Sequence, residues 1–267
     1  MAKIGVIHYN LPRFTLDGFV KYAKPAGFDY VELQSRDVWM PETPNPEEEA
    51  KKVRKMCDDA GIKVSAFAAQ NDFVLLDETA IKAQVERMKR ICQLALILGT
   101  NVIRTEGGAA KDAVPKDKWV DAMAGCLSRC VSFIEKDDIK LAVDNHGYVT
   151  NDGDLQLKLF KKVGSKNVGS NLDTMNYRWA GHSLEAIGRF YEIIAPYVFH
   201  THMKDGRNCG KDYRGAALGE GEIDLAKAVK CLKAAGYQGV YCAEYEGRDE
   251  PQEVGYWKCA NWLKKNL

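Results

Sequence analysis

The sequence predicts one (β/α)8 barrel, and three observations carry that prediction. Strand-like and helix-like segments alternate along the whole 267-residue chain. The strand-like runs are short and nearly all apolar, as parallel strands buried on both faces are. Several of them end in an acid or a histidine, and a barrel would gather such groups at its C-terminal mouth. An open doubly wound sheet is the alternative, but no Gly-x-Gly-x-x-Gly follows the first strand. The chain 1–267 is expected to form this one domain, because a barrel absorbs such a length.

The elements follow in order. Ile4 to His8 is a β run, and Thr15 caps a helix that reaches Lys24 and stops at Ala26-Gly27. Phe28 to Leu33 is the second strand, Pro44 to Ala60 a charged helix closed by Gly61, and Ile62 to Ala69 the third strand. A long helix from Glu78 to Leu98 ends at Gly99 and leads into the strand Asn101 to Glu106. Helix Pro115–Glu135, strand Ile139–Asp144, helix Asp152–Lys162 and strand Val168–Asp173 come next. Helix Ser183–Ile194 precedes strand Val198–Met203, and helix Asp224–Ala235 precedes strand Gly239–Glu244. The helix Gln252–Lys265 ends the chain. Glycines at the helix ends fit left-handed C-caps. The segment Gly206-Arg207-Asn208 reads as a loop, and Gly219 to Asp224 as a turn plus helix cap, since it lacks the lysine and hydroxyl of a phosphate loop.

Composition narrows the partners. With 46% hydrophobic residues the chain can bury a sizeable core, and 38 Lys plus Arg against 37 Asp plus Glu leave a net charge of +1. That balance supplies no field for nucleic acid, and no block of like charge forms a tail. The N-terminal apolar run is too short for a signal peptide. No stretch approaches the roughly 18 apolar residues of a membrane span, so a cytoplasmic protein is expected. The eight cysteines are scattered with no Cys-x-x-Cys pair, which fits reduced, buried thiols.

Chemistry is carried by strand ends. In Val198-Phe-His-Thr-His-Met-Lys-Asp205, His200 and His202 lie two apart and share a strand face. Asp144, Asp173 and Glu244 each end an apolar run on a strand adjacent in the predicted barrel. One imidazole and three carboxylates at one mouth suggest a divalent metal site held by Asp144, Asp173, His202 and Glu244. Asp144 is one methylene shorter than a glutamate, so the metal either sits nearer its strand or is reached indirectly. His200, one pleat deeper, is expected to be a hydrogen-bonded supporting group. Ligands of oxygen and nitrogen with no thiolate place Mn2+ first, with Mg2+, Co2+, Zn2+ or Fe2+ as alternatives. Such a metal polarises a carbonyl, and a carboxylate beside it can move the proton α to that carbonyl. His8, Glu32, Gln70 to Asp72, Glu106, Asn176, Lys204, Asp205 and Arg207 are expected around the same mouth. Trp39, Phe73, Tyr177 and Trp179 are candidates to pack on a sugar ring.

These residues resemble the xylose isomerase-like TIM barrel superfamily, whose members are often labelled sugar phosphate isomerases/epimerases. Ala142-Val-Asp-Asn-His-Gly147 is similar to the family's Glu-Asn-His-Gly strand end, and Asn171-Leu-Asp-Thr-Met-Asn176 to its Asp-Thr strand. Thr201-His-Met-Lys-Asp205 resembles its His-x-Lys-Asp element, and Leu218 to Asp224 with Gly236 to Glu244 its closing unit. The resemblance implies a metal held at Asp144, Asp173, His202 and Glu244, with the acids at 144 and 244 exchanging the substrate proton. The chain departs from the family pattern at Asp144, where glutamate is usual, and at Asn176, where many epimerases carry histidine.

The expected function is therefore a divalent-metal-dependent isomerase or epimerase of a sugar or oxo-sugar, by proton abstraction beside a carbonyl. The resemblance also admits a lyase on an oxidised sugar, of the 3-oxo-C-glycoside deglycosidase large subunit or inosose dehydratase type, with His146 moving the proton. A non-catalytic sugar-binding barrel is a further alternative. A zinc endonuclease of the endonuclease IV type needs more histidines than the five present and a basic cleft. The expected partner is a small sugar or oxo-sugar, with no nucleic acid and no membrane. A homo-oligomer or a small partner subunit is compatible with the sequence.

Overall fold

A computed structural model describes residues 2–11, 13–209 and 212–267. Eight strands close into a barrel: β1 (Lys3–Ile7), β2 (Tyr30–Gln34), β3 (Lys63–Ala68), β4 (Val102–Thr105), β5 (Lys140–Asp144), β6 (Val168–Asp173), β7 (Val198–Met203) and β10 (Val240–Ala243). They pair in parallel in the order β1-β10-β7-β6-β5-β4-β3-β2. Helices α1 (Leu16–Ala26), α2 (Pro46–Asp59), α3 (Glu78–Leu98), α4 (Trp119–Lys136), α5 (Gly153–Val163), α7 (Leu184–Ile194), α8 (Leu225–Ala234) and α9 (Gln252–Asn266) connect and close the units. The predicted (β/α)8 barrel is the observed fold.

Local chemistry sets the helix ends. The side chains of Thr15, Asn45, Asp77, Asp152, Ser183 and Asp224 each accept a backbone N–H from the first turn of the helix that follows. Gly27 and Gly99 end α1 and α3 in the left-handed region, at φ 101° and 83°, where a side chain would be strained. The helices lay apolar stripes on the outer face of the barrel, and Phe19, Phe28, Val53, Met88, Leu127 and Leu263 belong to the shared core. Burying that layer is the main stabilising contribution. Among the described residues, no helix is long and apolar enough to cross a membrane.

Three details differ from the expectation. The helix from Pro115 divides into a 3-10 turn at Lys116–Lys118 and then α4. A four-residue helix, α6 (Asn176–Trp179), lies in what reads as loop after Asp173. The segment taken as a loop at Gly206-Arg207-Asn208 is strand β8 (Asp205–Cys209), paired antiparallel with β9 (Asp212–Ala216). Its glycine, arginine and asparagine carry no β signal, so the hairpin is set by cross-strand hydrogen bonding and not by propensity. β8 begins two residues after the C-terminal end of β7, so the hairpin flanks the barrel mouth.

Candidate metal centre and active site

The strand register brings the predicted groups together. Asp173 on β6 lies opposite His202 on β7, His202 lies opposite Cys242 on β10, and Asp144 on β5 lies opposite Asn171. Glu244 directly follows β10, held by its N–H to Met203 O at 3.0 Å. One ligand atom each from Asp173, His202 and Glu244 lies within 4.8 Å of the others, and all three residues are buried.

Each of these side chains is oriented by the backbone around it. Asp173 Oδ1 accepts the N–H groups of Met175 and Asn176, both at 2.8 Å, and so ties down the turn that leads into α6. Asp173 Oδ2 is buried and makes no hydrogen bond among the described residues. The same carboxyl thus holds the loop with one oxygen and offers the other to the site. His202 Nε2 lies 2.6 Å from Glu32 Oε2. His202 Nδ1 stands 2.9 Å from Glu244 Oε2 as an ion-pair contact, and it is buried without a geometrically formed hydrogen bond among the described residues. Glu244 Oε1 accepts from Asn10 Nδ2 at 3.2 Å and from Lys204 Nζ at 3.3 Å.

Asp144 is differently placed. Arg104 Nε and Nη2 donate to its Oδ2 at 3.0 and 2.5 Å, and Asn171 Nδ2 donates to its Oδ1 at 2.7 Å. Both of its oxygens therefore have strong partners, and it stands outside the Asp173–His202–Glu244 group. Burial disfavours its charge, but Arg104 more than offsets this and brings its pKa down to about 2. Asp173 behaves oppositely. Burial raises it to about 7 despite Lys204, with Glu244 and Asp144 adding repulsion. Burial also opposes the charges of Glu244, His202 and Glu32, and in each case the neighbouring opposite charges prevail.

The donor set fits a divalent cation. Four buried carboxyl groups (Glu32, Asp144, Asp173, Glu244) outnumber the two permanent cations (Arg104, Lys204), and once Asp173 and His202 give up their protons to a bound ion two negative charges would remain to balance it. Asp173 Oδ2 and His202 Nδ1, one polar atom on each of two residues of the group, are buried without a hydrogen bond among the described residues, and such an atom is costly to leave unpaired.

The remaining predicted residues separate by position. Lys204 is buried, with Nζ 3.5 Å from Asp173 Oδ2, 3.0 Å from Glu246 Oε1 and 3.1 Å from Asn176 Oδ1, so Lys204 and Asn176 do reach the cluster. Glu106 lies at its edge, 3.4 Å from Arg104 Nη1. His146 is exposed beside Asp144, in a turn tied by Thr150 Oγ1. His8 leans on Phe19, with Nδ1 3.0 Å from Asp37 Oδ1. Trp39 is half-buried under the Arg87 guanidinium. Two aromatic candidates, Phe73 and Tyr177, are fully buried and pack in the core, because the loops that carry them fold inward. Trp179 is exposed and tilts against Tyr148.

Asp205 and Arg207 are loop-builders in this geometry. The Asp205 carboxylate accepts from the N–H groups of Gly206, Gly219, Gly221 and Ile223 at 2.8 to 3.2 Å, and a β-carbon at Gly221 would collide with it. Arg207 is exposed on β8 and donates to Glu220 O at 2.5 Å. His200 takes the supporting position expected of it. Its Nδ1 lies 2.8 Å from Asn171 Oδ1 and its Nε2 3.2 Å from Ser65 Oγ.

Arg104, Asn10 and the close tie of Glu32 to His202 lie outside the strand-end pattern that points to the site. Arg104 had a signal, since a lone arginine inside an apolar parallel strand must find an anion. Asn10 had none, because it lies on the loop after β1 and meets Glu244 only through barrel closure. Beside the cluster, a cleft of about 630 Å3 opens between the hairpin and the loop after β10, lined by Asn10, Tyr213, Arg214, Tyr245, Glu246 and Arg248 among others.

Comparison with known proteins agrees with this architecture. Residues 20–266 match the family described as xylose isomerase-like TIM barrel. The IOLI protein, in a crystal structure with a binding zinc atom, superposes with a TM-score of 0.81 at 17% identity, covering 99% of each chain. D-psicose 3-epimerase from Clostridium cellulolyticum H10, solved with D-tagatose, gives 0.80 at 15% identity, covering 99% of this chain and 98% of that one. Uncharacterized protein MJ1311 of Methanocaldococcus jannaschii is 26% identical over 175 residues, which are 63% of this chain. The match spans 59% of that relative's length. With the fold, the strand-end cluster and a family match over most of its length, the chain belongs to the xylose isomerase-like TIM barrel family.

Proposed function

We propose that the protein is a divalent-metal-dependent isomerase or epimerase of a sugar or oxo-sugar, acting by proton transfer at the carbon beside a carbonyl. The observation that carries this reading is the convergence of Asp173, His202 and Glu244, with Asp173 Oδ2 and His202 Nδ1 buried and without a hydrogen bond among the described residues. Asp173, His202 and Glu244 would hold the ion, with Mn2+ the first choice and Mg2+, Co2+, Zn2+ or Fe2+ the alternatives. A divalent metal there supplies a Lewis acid for the substrate carbonyl. The epimerase with D-tagatose and the zinc-holding IOLI protein, both of this architecture, support a sugar substrate and a metal.

The chain's own groups divide the remaining tasks. Glu244 is ionised, reaches the mouth, and is positioned by Asn10 and Lys204 to take or return a proton. Lys204 and Asn176 offer donors to substrate hydroxyl groups. The cleft beside Glu246 admits the sugar, and the exposed Trp179 and Tyr148 rings lie on loops of the same mouth. His8, Glu106 and Trp39 would line it from the opposite strands.

One observation favours the lyase as the second reading. Arg104 and Asn171 occupy both oxygens of Asp144, so that carboxylate is not free to take a proton from a substrate. The second proton transfer then falls to His146, two residues beyond it, as an elimination from an oxidised sugar requires. Incubation with Mn2+ and candidate ketoses in D2O separates the two. Deuterium in the recovered sugar supports isomerisation or epimerisation, whereas release of water or an aglycone supports elimination. Full turnover by Glu244→Gln would refute the assigned proton transfer.

A further inference from the structure

We propose that Glu32 is a positioning residue that fixes the His202 ring so that Nδ1, and not Nε2, faces the metal. This inference rests on the metal reading of Asp173, His202 and Glu244 given above. Glu32 reaches across the barrel interior from β2 to β7, and its Oε2 lies 2.6 Å from His202 Nε2. Both side chains are shut off from solvent, so no water competes for that hydrogen bond. With Nε2–H committed to Glu32, the remaining nitrogen is Nδ1, which is the one aimed at Glu244 and left without a hydrogen bond. A carboxylate behind a ligating histidine selects the tautomer, sets the ring plane and raises the basicity of the ligating nitrogen. Glu32 meets each of these conditions from a strand that contributes no ligand to the proposed ion.

A rival role for Glu32 is as a ligand of its own. Glu32, His200 and Cys242 also place ligand atoms within 4.8 Å of one another, one layer deeper in the barrel. Three observations speak against an ion there. Both ring nitrogens of His200 already face partners, Asn171 and Ser65. The Arg104 guanidinium stands 3.9 Å from Glu32 Oε1 and would repel a cation. Burial drives the Cys242 thiol well above its ordinary pKa, so it is no thiolate.

The test compares wild-type protein with Glu32→Gln and Glu32→Asp. Mn2+ affinity and stoichiometry are measured by calorimetry on metal-free protein. The ring N–H signals are observed by NMR in 15N-histidine-labelled metal-free protein, with His202→Gln to assign them. The expected results are one ion per chain in all three and affinity weakened about 10- to 100-fold by Glu32→Gln. A slowly exchanging Nε2–H signal of His202 should be present in wild type and lost in Glu32→Gln. Glu32→Asp, whose shorter reach lengthens the hydrogen bond while keeping the charge, gives an intermediate affinity and remains informative if the glutamine variant does not fold. A group that only supports the fold would lower the melting temperature without moving affinity in the folded fraction or the ring signal. Unchanged affinity in a folded variant, no protected Nε2–H in wild type, or a second ion lost with Glu32 would each overturn the proposal. Wild-type protein that binds no divalent ion would sink the metal reading alone, and the Nε2–H signal would still decide whether Glu32 orients the ring.

Discussion

Two walls of the barrel mouth, side by side, treat similar carboxylates in opposite ways. On the β4–β5 wall, Asp144 has Arg104 on one oxygen and Asn171 on the other. On the β6–β7–β10 wall, Asp173 Oδ2 and His202 Nδ1 are buried with no hydrogen-bond partner among the described residues. In sequence the two aspartates are the same signal, an acid flush with the end of an apolar strand. The difference lies in who supplies the opposite charge. Where the chain supplies it, the carboxylate becomes part of a closed ion pair. Where one lysine, Lys204, is shared among Asp173, Glu244 and Glu246 and donates no hydrogen bond to Asp173, that carboxylate keeps an oxygen open to a cation from solution.

The largest expected effect breaks the closed wall. Arg104→Met leaves Asp144 as an uncompensated buried charge and should cost about 3–5 kcal/mol in denaturant unfolding. Adding Asp144→Leu should restore most of that loss. If it does not, the two residues are not a self-contained pair.

Next comes the open wall. Asp173→Asn or His202→Asn should weaken Mn2+ binding by at least about 100-fold, roughly 2.8 kcal/mol, read by calorimetry. Wild-type affinity in both would show that the ion, if bound, sits elsewhere.

A titration then sharpens the contrast, because the two aspartates carry opposite signs. Asp144 has a folded pKa of about 2 against its usual 3.8. Its stabilisation, about 2 kcal/mol, is present above roughly pH 4 and lost as pH falls toward 2. Asp173 is raised to about 7, so it favours the folded state only while protonated. In metal-free protein its contribution to stability therefore declines as pH rises from about 4 to 7. Unfolding curves across pH 2–8, with and without Mn2+, check both. A flat profile would deny the contrast.

The smallest effect is the most discriminating. Asp144→Asn should change Mn2+ affinity by less than about threefold, or about 0.7 kcal/mol. A loss as large as that of Asp173→Asn would return Asp144 to the ligand set in which the sequence pattern places it.

Much of the fold was legible because it is written in local rules. Six helix N-caps were supplied by Thr15, Asn45, Asp77, Asp152, Ser183 and Asp224, and glycines such as Gly27 and Gly99 closed helices where a reading of the chain expects them. The hairpin β8–β9 escaped notice, because its residues carry no strand pattern and its order comes from pairing. Around the site, Asp173, His202 and Glu244 are candidates by strand-end position and by family resemblance, and their ligand atoms lie within 4.8 Å of one another in the structure. Phe73 and Tyr177 were misjudged as open to a ligand because loop residues beside a mouth can still fold inward, and both are core. Asp205 reads as part of a binding motif, yet its carboxylate gathers the N–H of Gly206 and three backbone N–H groups of the loop around Gly219 to Ile223. Sequence offers no sign of the last three, since they join segments more than ten residues apart.

The sequence by itself determined the alternation of elements, the barrel they close into, and the strand ends at which acids and histidines gather. These follow from periodicity and capping, which act within a few residues. Tertiary structure alone decided which of those groups are neutralised and which stay open. Arg104 comes from β4 to Asp144 on β5, Glu32 from β2 to His202 on β7, and Asn10 from the loop after β1 to Glu244. Charge compensation acts through space over a few ångströms, and only the closed barrel brings those distances about.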